Sequence, residues 1–321
     1  MPQRSFTTGR HLSRAKFPKA YPGSYCTDML RLFGEANVNK LYKHLLKTHY
    51  SFDTTKHTDL LNLIDDIFEK AFFDYHEVEA NLEQLSQGMK DVWHKRIIRC
   101  IRELLEFLPQ YKEVEAFNEC VLRTRFLDPV VKYFLNDIND TFRLRYPESN
   151  LNERKLVKKE VLRPDCLVTN TTQPQYHRGN IAYGEAISSY YTNRTRALIL
   201  YMYQLVYFSK STIDTHKINA PIMLQVVGLK VNVYTLVLIS QKFYVTLFLF
   251  DFILPQCKSE IKDFLPSIKK LVAMNEALVK CSNGDNKADS EMIRPSNDTP
   301  LFERRVETKI AKEESDSIHL C

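Results

Sequence analysis

The chain has 321 residues, of which 44% are hydrophobic and 26% charged, an ordinary globular balance that excludes wholesale disorder. With eight glycines and thirteen prolines, collagen-like and Pro/Gly-rich low-complexity classes are excluded. Neither G-x-G-x-x-G nor G-x-x-x-x-G-K-[ST] occurs, which argues against Rossmann and P-loop nucleotide chemistry. The net charge of +6 is uneven: residues 1–50 carry nine Lys/Arg against Asp28 and Glu35, so the remainder is almost neutral.

Residues 1–30 read as a disordered basic tail. A basic arm on nucleic acid and a mitochondrial presequence are the alternatives for its acid-poor, Arg/Ser-containing composition. A helical region is expected over 31–113. Within it Leu60, Leu63, Ile64, Ile67, Phe68 and Ala71 recur at three- and four-residue steps, a helix over 58–75. One long helix is expected from about Glu77 to Leu108, stopped by Pro109. A third is expected from about Val114 to Asn136, with Asp128-Pro129 as a bend or join.

The pattern changes after Asn139. Short strands are expected at Arg163–Thr169 and Ile181–Ser188, joined by a polar loop. A helix over Asn193–Ser211 is apolar on nearly every side at Ala197–Phe208 and is expected to be buried. Three β-rich runs follow, Ala220–Val227, Val231–Ile239 and Phe243–Phe250, before a closing helix over Ser259–Val279. Residues 231–254 are long and apolar enough to suggest a membrane span, but Asn232 and Ser240-Gln241-Lys242 interrupt them, so strands are expected and no membrane partner. Residues 281–321, net negative and nearly free of aromatics, read as a disordered acidic tail.

The seven cysteines form no C-x-x-C pair, and their number is odd. They read as reduced thiols, so the expected location is intracellular, nuclear or cytoplasmic, with mitochondria left open by the basic start. Three acids stand in apolar surroundings: Glu119 in Phe117–Leu122, Asp165 ahead of Cys166-Leu167-Val168, and Glu185 within Ile181–Ile187. A carboxylate there is costly unless it is paired or binds metal. On local sequence two readings stay open. Asp165 caps a turn and Glu185 pairs with Arg163 or Arg194, or the three acids form a metal site.

At these residues the chain resembles the PD-(D/E)xK restriction-endonuclease-like superfamily, and more narrowly a group of its proteins expanded in early-diverging fungi. The matching segments are Phe117-Asn118-Glu119, Arg163-Pro164-Asp165-Cys166, Tyr183-Gly184-Glu185-Ala186-Ile187 and the apolar helix Ala197–Phe208. The strand run from Ile222 to Pro255 completes the set, which spans residues 114–280. The resemblance implies an α+β chain, with the helical N-terminal region packed on a mixed sheet flanked by helices. It implies Mg²⁺ held by Glu119, Asp165 and Glu185 for phosphodiester hydrolysis. Arg163, Arg194 and Arg196 would then meet the backbone of DNA or RNA. The motif departs at Ile187, which stands where the superfamily has a catalytic lysine. Lys158 or Lys159 is a conceivable substitute, although the run Arg154–Glu160 reads as a solvated charge run. The expectation is a nuclease fold with a degraded site. A non-catalytic module that binds protein partners is the alternative.

Overall fold

In the computed structural model the described residues are 30–283, except 32–33, 51–52, 54, 73, 113–116, 148–162, 173–178, 189–194 and 241–242. Both expected tails lie outside them, apart from Leu30 of the basic one and Cys281–Asn283 of the acidic one.

Four helices open the described chain: α1 (Glu35–His49), α2 (Thr58–Lys70), α3 (Tyr75–Gly88) and α4 (Val92–Phe107). The single helix expected over 77–108 is therefore two. Gly88 ends the first, and Asp91 starts the second by accepting the His94 N–H at 2.8 Å. A side-chain cap is worth about 1 kcal/mol, enough to favour a fresh start over a continuous helix through a glycine. Asp74 caps α3 in the same way, accepting from His76 and Glu77. The α4 face Ile97, Cys100, Ile101 and Leu104 is fully buried at steps of three and four.

The next helical stretch, α5, is compound. It begins as an α turn, Glu119–Val121, under the side-chain cap of Asn118. It widens into a π segment, Leu122–Leu127, and resumes as α over Asp128–Phe134. Pro129 has no N–H to give the carbonyl of Arg125, and its ring pushes that carbonyl away. The Asp128 N–H reaches back to the Arg123 carbonyl instead.

A six-stranded sheet follows, formed by β1 (Phe142–Arg145), β2 (Cys166–Asn170), β3 (Asn180–Ile187), β4 (Ile222–Val227), β5 (Lys230–Ser240) and β6 (Phe243–Ile253). The strands lie in chain order, antiparallel throughout except for the parallel pair β3–β4. The parallel pair requires a crossover, supplied by α6 (Thr195–His216). A 3₁₀ turn, Lys258–Glu260, leads into α7 (Ile261–Asn283). The class is α+β with N-terminal helices, as expected. The expected acidic tail loses Cys281–Asn283 to the end of α7.

The sheet separates two main cores, and a smaller third cluster packs Tyr42 and Leu45 of α1 on Val237 and Leu247. On one face α2–α5 and α7 pack against Ala182, Ala186, Leu224, Val226 and their neighbours. On the other, α6 covers Leu167, Tyr183, Met223 and Tyr234. The buried side of α6 is Leu205, Phe208, Ser209, Thr212 and Ile213, a single helical face. Tyr183 stacks on Phe208 with ring centroids 5.4 Å apart and hydrogen-bonds Thr212 at 2.6 Å. The expectation that α6 is enclosed on every side is corrected: Met202, Val206 and Tyr207 are half-buried. One sheet face gives a helix one buried side, whatever the apolarity of the other.

The strand reading of 231–254 agrees with β5 and β6. Among the described residues no helix is long and apolar enough to cross a membrane.

Gly184 marks a close approach. A Cβ built there would meet the Cys166 Sγ at 2.5 Å across the β2–β3 pair. Cys166 is buried at the start of β2, so its thiol must turn away or the strands must part to admit the Cβ. Gly184→Ala should destabilise the protein by about 1–3 kcal/mol. Combining it with Cys166→Ala should restore most of that loss in thermal melts; an unrescued double variant would show that the strain lies in the backbone.

Candidate functional site

Glu119, Asp165 and Glu185 come together at the end of β3. Glu185 is a sheet residue, 3% exposed. The β2–β3 register pairs Cys166 with Gly184 and Leu167 with Tyr183. One step further, Asp165 stands opposite Glu185. The strand expected over Arg163–Thr169 is Cys166–Asn170, which leaves Asp165 just before it.

The reason for the convergence lies in the backbone. β2 begins at Cys166, so the N–H groups of β3 beyond Gly184 have no strand partner there. The Asp165 Oδ2 accepts the Ala186 N–H at 2.6 Å. The carboxyl of Glu119 accepts the next such group, the Ser188 N–H. The Ser188 hydroxyl then donates to the Phe117 carbonyl at 3.0 Å, pinning the start of α5 to the end of β3. Two side chains thus continue the ladder where the strand has stopped. Their negative charge bears on Glu185, the residue just before the first of the two bonded amides.

Glu185 has no such relief. Its Oε1 is buried without a hydrogen-bond partner, and among the described residues it makes no salt bridge. Among the described residues Glu185 forms no ion pair with Arg163; Arg194, the other partner expected from sequence, lies outside them. The alternative of Asp165 as a turn cap is replaced by its bond across to β3.

The electrostatics follow. Burial, then the charges of Asp165 and Glu119, push the Glu185 carboxyl well above the usual range. Burial likewise raises Asp165, against the opposing pull of the Ala186 N–H and of Arg123. Burial raises Glu119, joined by the Asp165 charge and opposed by the Ser188 N–H. Glu119 itself is an exposed residue at the start of α5, so of the three acids it is the one open to solvent. Three carboxyl groups closing without a cation resist ionising together.

Two features at the cluster escaped the sequence reading. Arg123, from the π segment of α5, lines a cavity of about 10 Å³ with Asp165, Cys166, Gly184, Glu185 and Ala186, no larger than one water and apolar over its accessible wall. Its guanidinium lies over the Tyr146 ring, 5.4 Å from the centroid, and Tyr146 donates to Asp128. Gln225, beside Glu185 in the parallel register, turns away and donates to the Leu198 carbonyl on α6 at 2.9 Å.

Of the other expected residues, Arg163 is exposed two positions before Asp165. Arg194, Lys158, Lys159 and the side chain of Arg196 lie outside the described residues. Ile187 is fully buried at the last position of β3. No amine stands at that position.

The donor set is of the hard-cation type, but its oxygens are not all within 4.8 Å of one another, a separation that among the described residues only His57, Asp91 and His94 reach, so a cation would have to draw the three carboxylates closer. The set offers oxygens from three separate elements, one of them buried and unsatisfied, which suits Mg²⁺ or Mn²⁺ rather than a thiophilic metal. Cys166, the nearest thiol, is buried and its pKa is raised by that burial, so it stays protonated.

No protein-family model matches the chain, and no curated protein and no solved structure is significantly similar to it. The functional reading rests on the chemistry of the site.

Proposed function

We propose that the protein is a nuclease-type fold whose Glu119–Asp165–Glu185 cluster binds Mg²⁺ or Mn²⁺, and that it acts on DNA or RNA with weak or no phosphodiester cleavage. The unsatisfied, nine-tenths-buried carboxyl of Glu185 carries this reading. A fold that merely needed to close β3 would place a neutral group there. The order of elements supports it too. Helix with Glu119, Asp165 before a strand, Glu185 in the next strand, helix, parallel strand is the order the superfamily resemblance implies. A bound Mg²⁺ would neutralise the three acids and polarise a phosphoryl oxygen. Arg123 and Arg163 would offer guanidinium groups to the phosphate, a planar fork suited to it. What is missing is the amine at Ile187 to orient or acidify the attacking water, hence a weakened or silent enzyme.

The test is Mn²⁺ titration with and without DNA and RNA, on the native protein and on Asp165→Asn. Asn keeps an acceptor for the Ala186 N–H and removes the charge. Mn²⁺ affinity should fall by about tenfold or more in the variant, and cation-dependent nucleic-acid retention should fall with it. Equal Mn²⁺ binding by the two proteins would discard the metal-site reading.

A second reading is a protein-interaction module. The half-buried apolar outer side of α6, with Tyr201, Tyr203 and Tyr207, favours it. Partner binding indifferent to Asp165 and Glu185 would select it.

A further inference from the structure

A second cluster lies among the N-terminal helices, remote in sequence from the acidic site. His57 stands at the position just before α2, and Asp91 and His94 stand at the start of α4. Each offers one ligand atom, and these atoms lie within 4.8 Å of one another. The rings of His57 and His94 are 5.3 Å apart and nearly perpendicular.

We propose that these residues bind one divalent transition-metal ion of the zinc class, clamping the start of α2 to the start of α4. Two imidazoles and a carboxylate suit such a borderline cation, whereas Mg²⁺ and Ca²⁺ prefer an all-oxygen set. A tetrahedral ion with bonds of about 2.0–2.1 Å needs ligand atoms about 3.4 Å apart, so the side chains must close by at most about 1.4 Å, within the freedom of partly exposed groups.

The local structure prepares each ligand. Asp91 Oδ1 accepts the His94 N–H at 2.8 Å, which fixes the carboxylate and leaves Oδ2 for a cation. His57 is held with φ 61, a left-handed backbone that is uncommon outside glycine and Asn-like residues and that aims its ring across to α4. Trp93 packs beside it, ring centroids 6.4 Å apart.

Two effects oppose the site: two helix N-termini present partial positive charge to it, and the Lys56 charge acts on His57. Asp91 offsets these by a full negative charge, and Glu276 adds a second nearby, shared with Lys56. Three protein ligands leave a fourth position for water, the open arrangement of zinc sites that are not purely structural.

This site is independent of the acidic cluster, and the experiment keeps the two apart. Zn²⁺ is titrated against a chelating dye into the full chain, into His57→Asn/His94→Ala, and into Asp165→Asn/Glu185→Gln. Asn at 57 tolerates the left-handed backbone, so the first variant should stay folded, which circular dichroism checks. The native protein and the acidic-cluster variant should bind one Zn²⁺ equivalent that the histidine variant lacks or binds at least about 100-fold more weakly. Co²⁺ in place of Zn²⁺ should give tetrahedral absorption bands that vanish in the histidine variant. Equal stoichiometry and affinity in the native and histidine-variant chains would overturn the proposal and assign the bound zinc to other groups, the exposed thiol of Cys120 first among them.

Discussion

Glu185→Gln should raise the melting temperature of the cation-free protein near neutral pH and leave it almost unchanged in acid. The sign comes from linkage. The folded protein raises the pKa of Glu185, so between the unfolded value of about 4.3 and the raised folded value it holds a proton that the unfolded chain has released. The native carboxyl is therefore no liability below about pH 4, where both states are protonated, and its contribution to stability is lost as pH rises through the folded value. Gln keeps the shape, cannot ionise, and can donate to the carboxylates of Asp165 and Glu119. Relief of one buried, unsatisfied acid is worth about 1–3 kcal/mol, or roughly 3–10 °C for a chain of this size. Saturating Mn²⁺ should reverse the order of the two proteins. At one hundred times its Kd a ligand adds about 2.7 kcal/mol to the native protein, and the variant, with a weakened site, gains less. Paired melts in chelator and in Mn²⁺, near pH 4 and near pH 8, read all four corners. A variant that is destabilised equally at both pH values, and protected by Mn²⁺ as well as the native chain, would make Glu185 a structural hydrogen-bonding group.

Much of this site was legible because its cost is legible. An acid among Ile, Ala and Tyr in a strand breaks the local rule for buried positions, and residues that break such rules cluster where a protein does chemistry. The alternation of β3 also places Glu185, Tyr183 and Ile187 on one face before any coordinates are seen. Other parts were hidden for physical reasons. β1 is four residues, Phe-Arg-Leu-Arg, too short for its alternation to stand out from a loop. The gap between α3 and α4 depends on one side-chain bond from Asp91 that competes with a continuous apolar stripe. Arg123 reaches the cluster from a π turn, where the 3.6-residue phase that sequence reasoning relies on no longer holds. The His57–Asp91–His94 cluster joins two segments with no fixed spacing between them. A histidine pair i, i+4 on one helix would have announced itself; a pair brought together by the packing of two helix starts does not.

Ile187→Lys should confer Mg²⁺-dependent cleavage of DNA or RNA that the native chain lacks or performs weakly. Ile187 is two residues from Glu185 on the same face of β3, about 6.6 Å along the strand, so a lysine there can extend its amine toward the carboxylates. A well-placed acid–base or oxyanion-stabilising group is worth about 10²–10³ in rate, and that is the gain to look for over the native protein. The substitution has an opposing cost, because Ile187 is fully buried. An amine left unpaired at that position would lower stability by a few kcal/mol, on the order of the larger single-residue effects in proteins. Here Glu185 and Asp165 can partner it, and the position is the last of the strand, so the loss should be smaller than at a strand centre. Activity and thermal melts must therefore be measured on the same preparations. Cleavage should vanish when Asp165→Asn is added, which separates the engineered site from a contaminating nuclease. A folded, cation-binding Ile187→Lys protein that cuts neither nucleic acid would mean that the loss of the amine was followed by further loss around it. The acidic cluster would then be a relic, and the interaction-module reading, with α6 as its face, would be the better account of what the protein does.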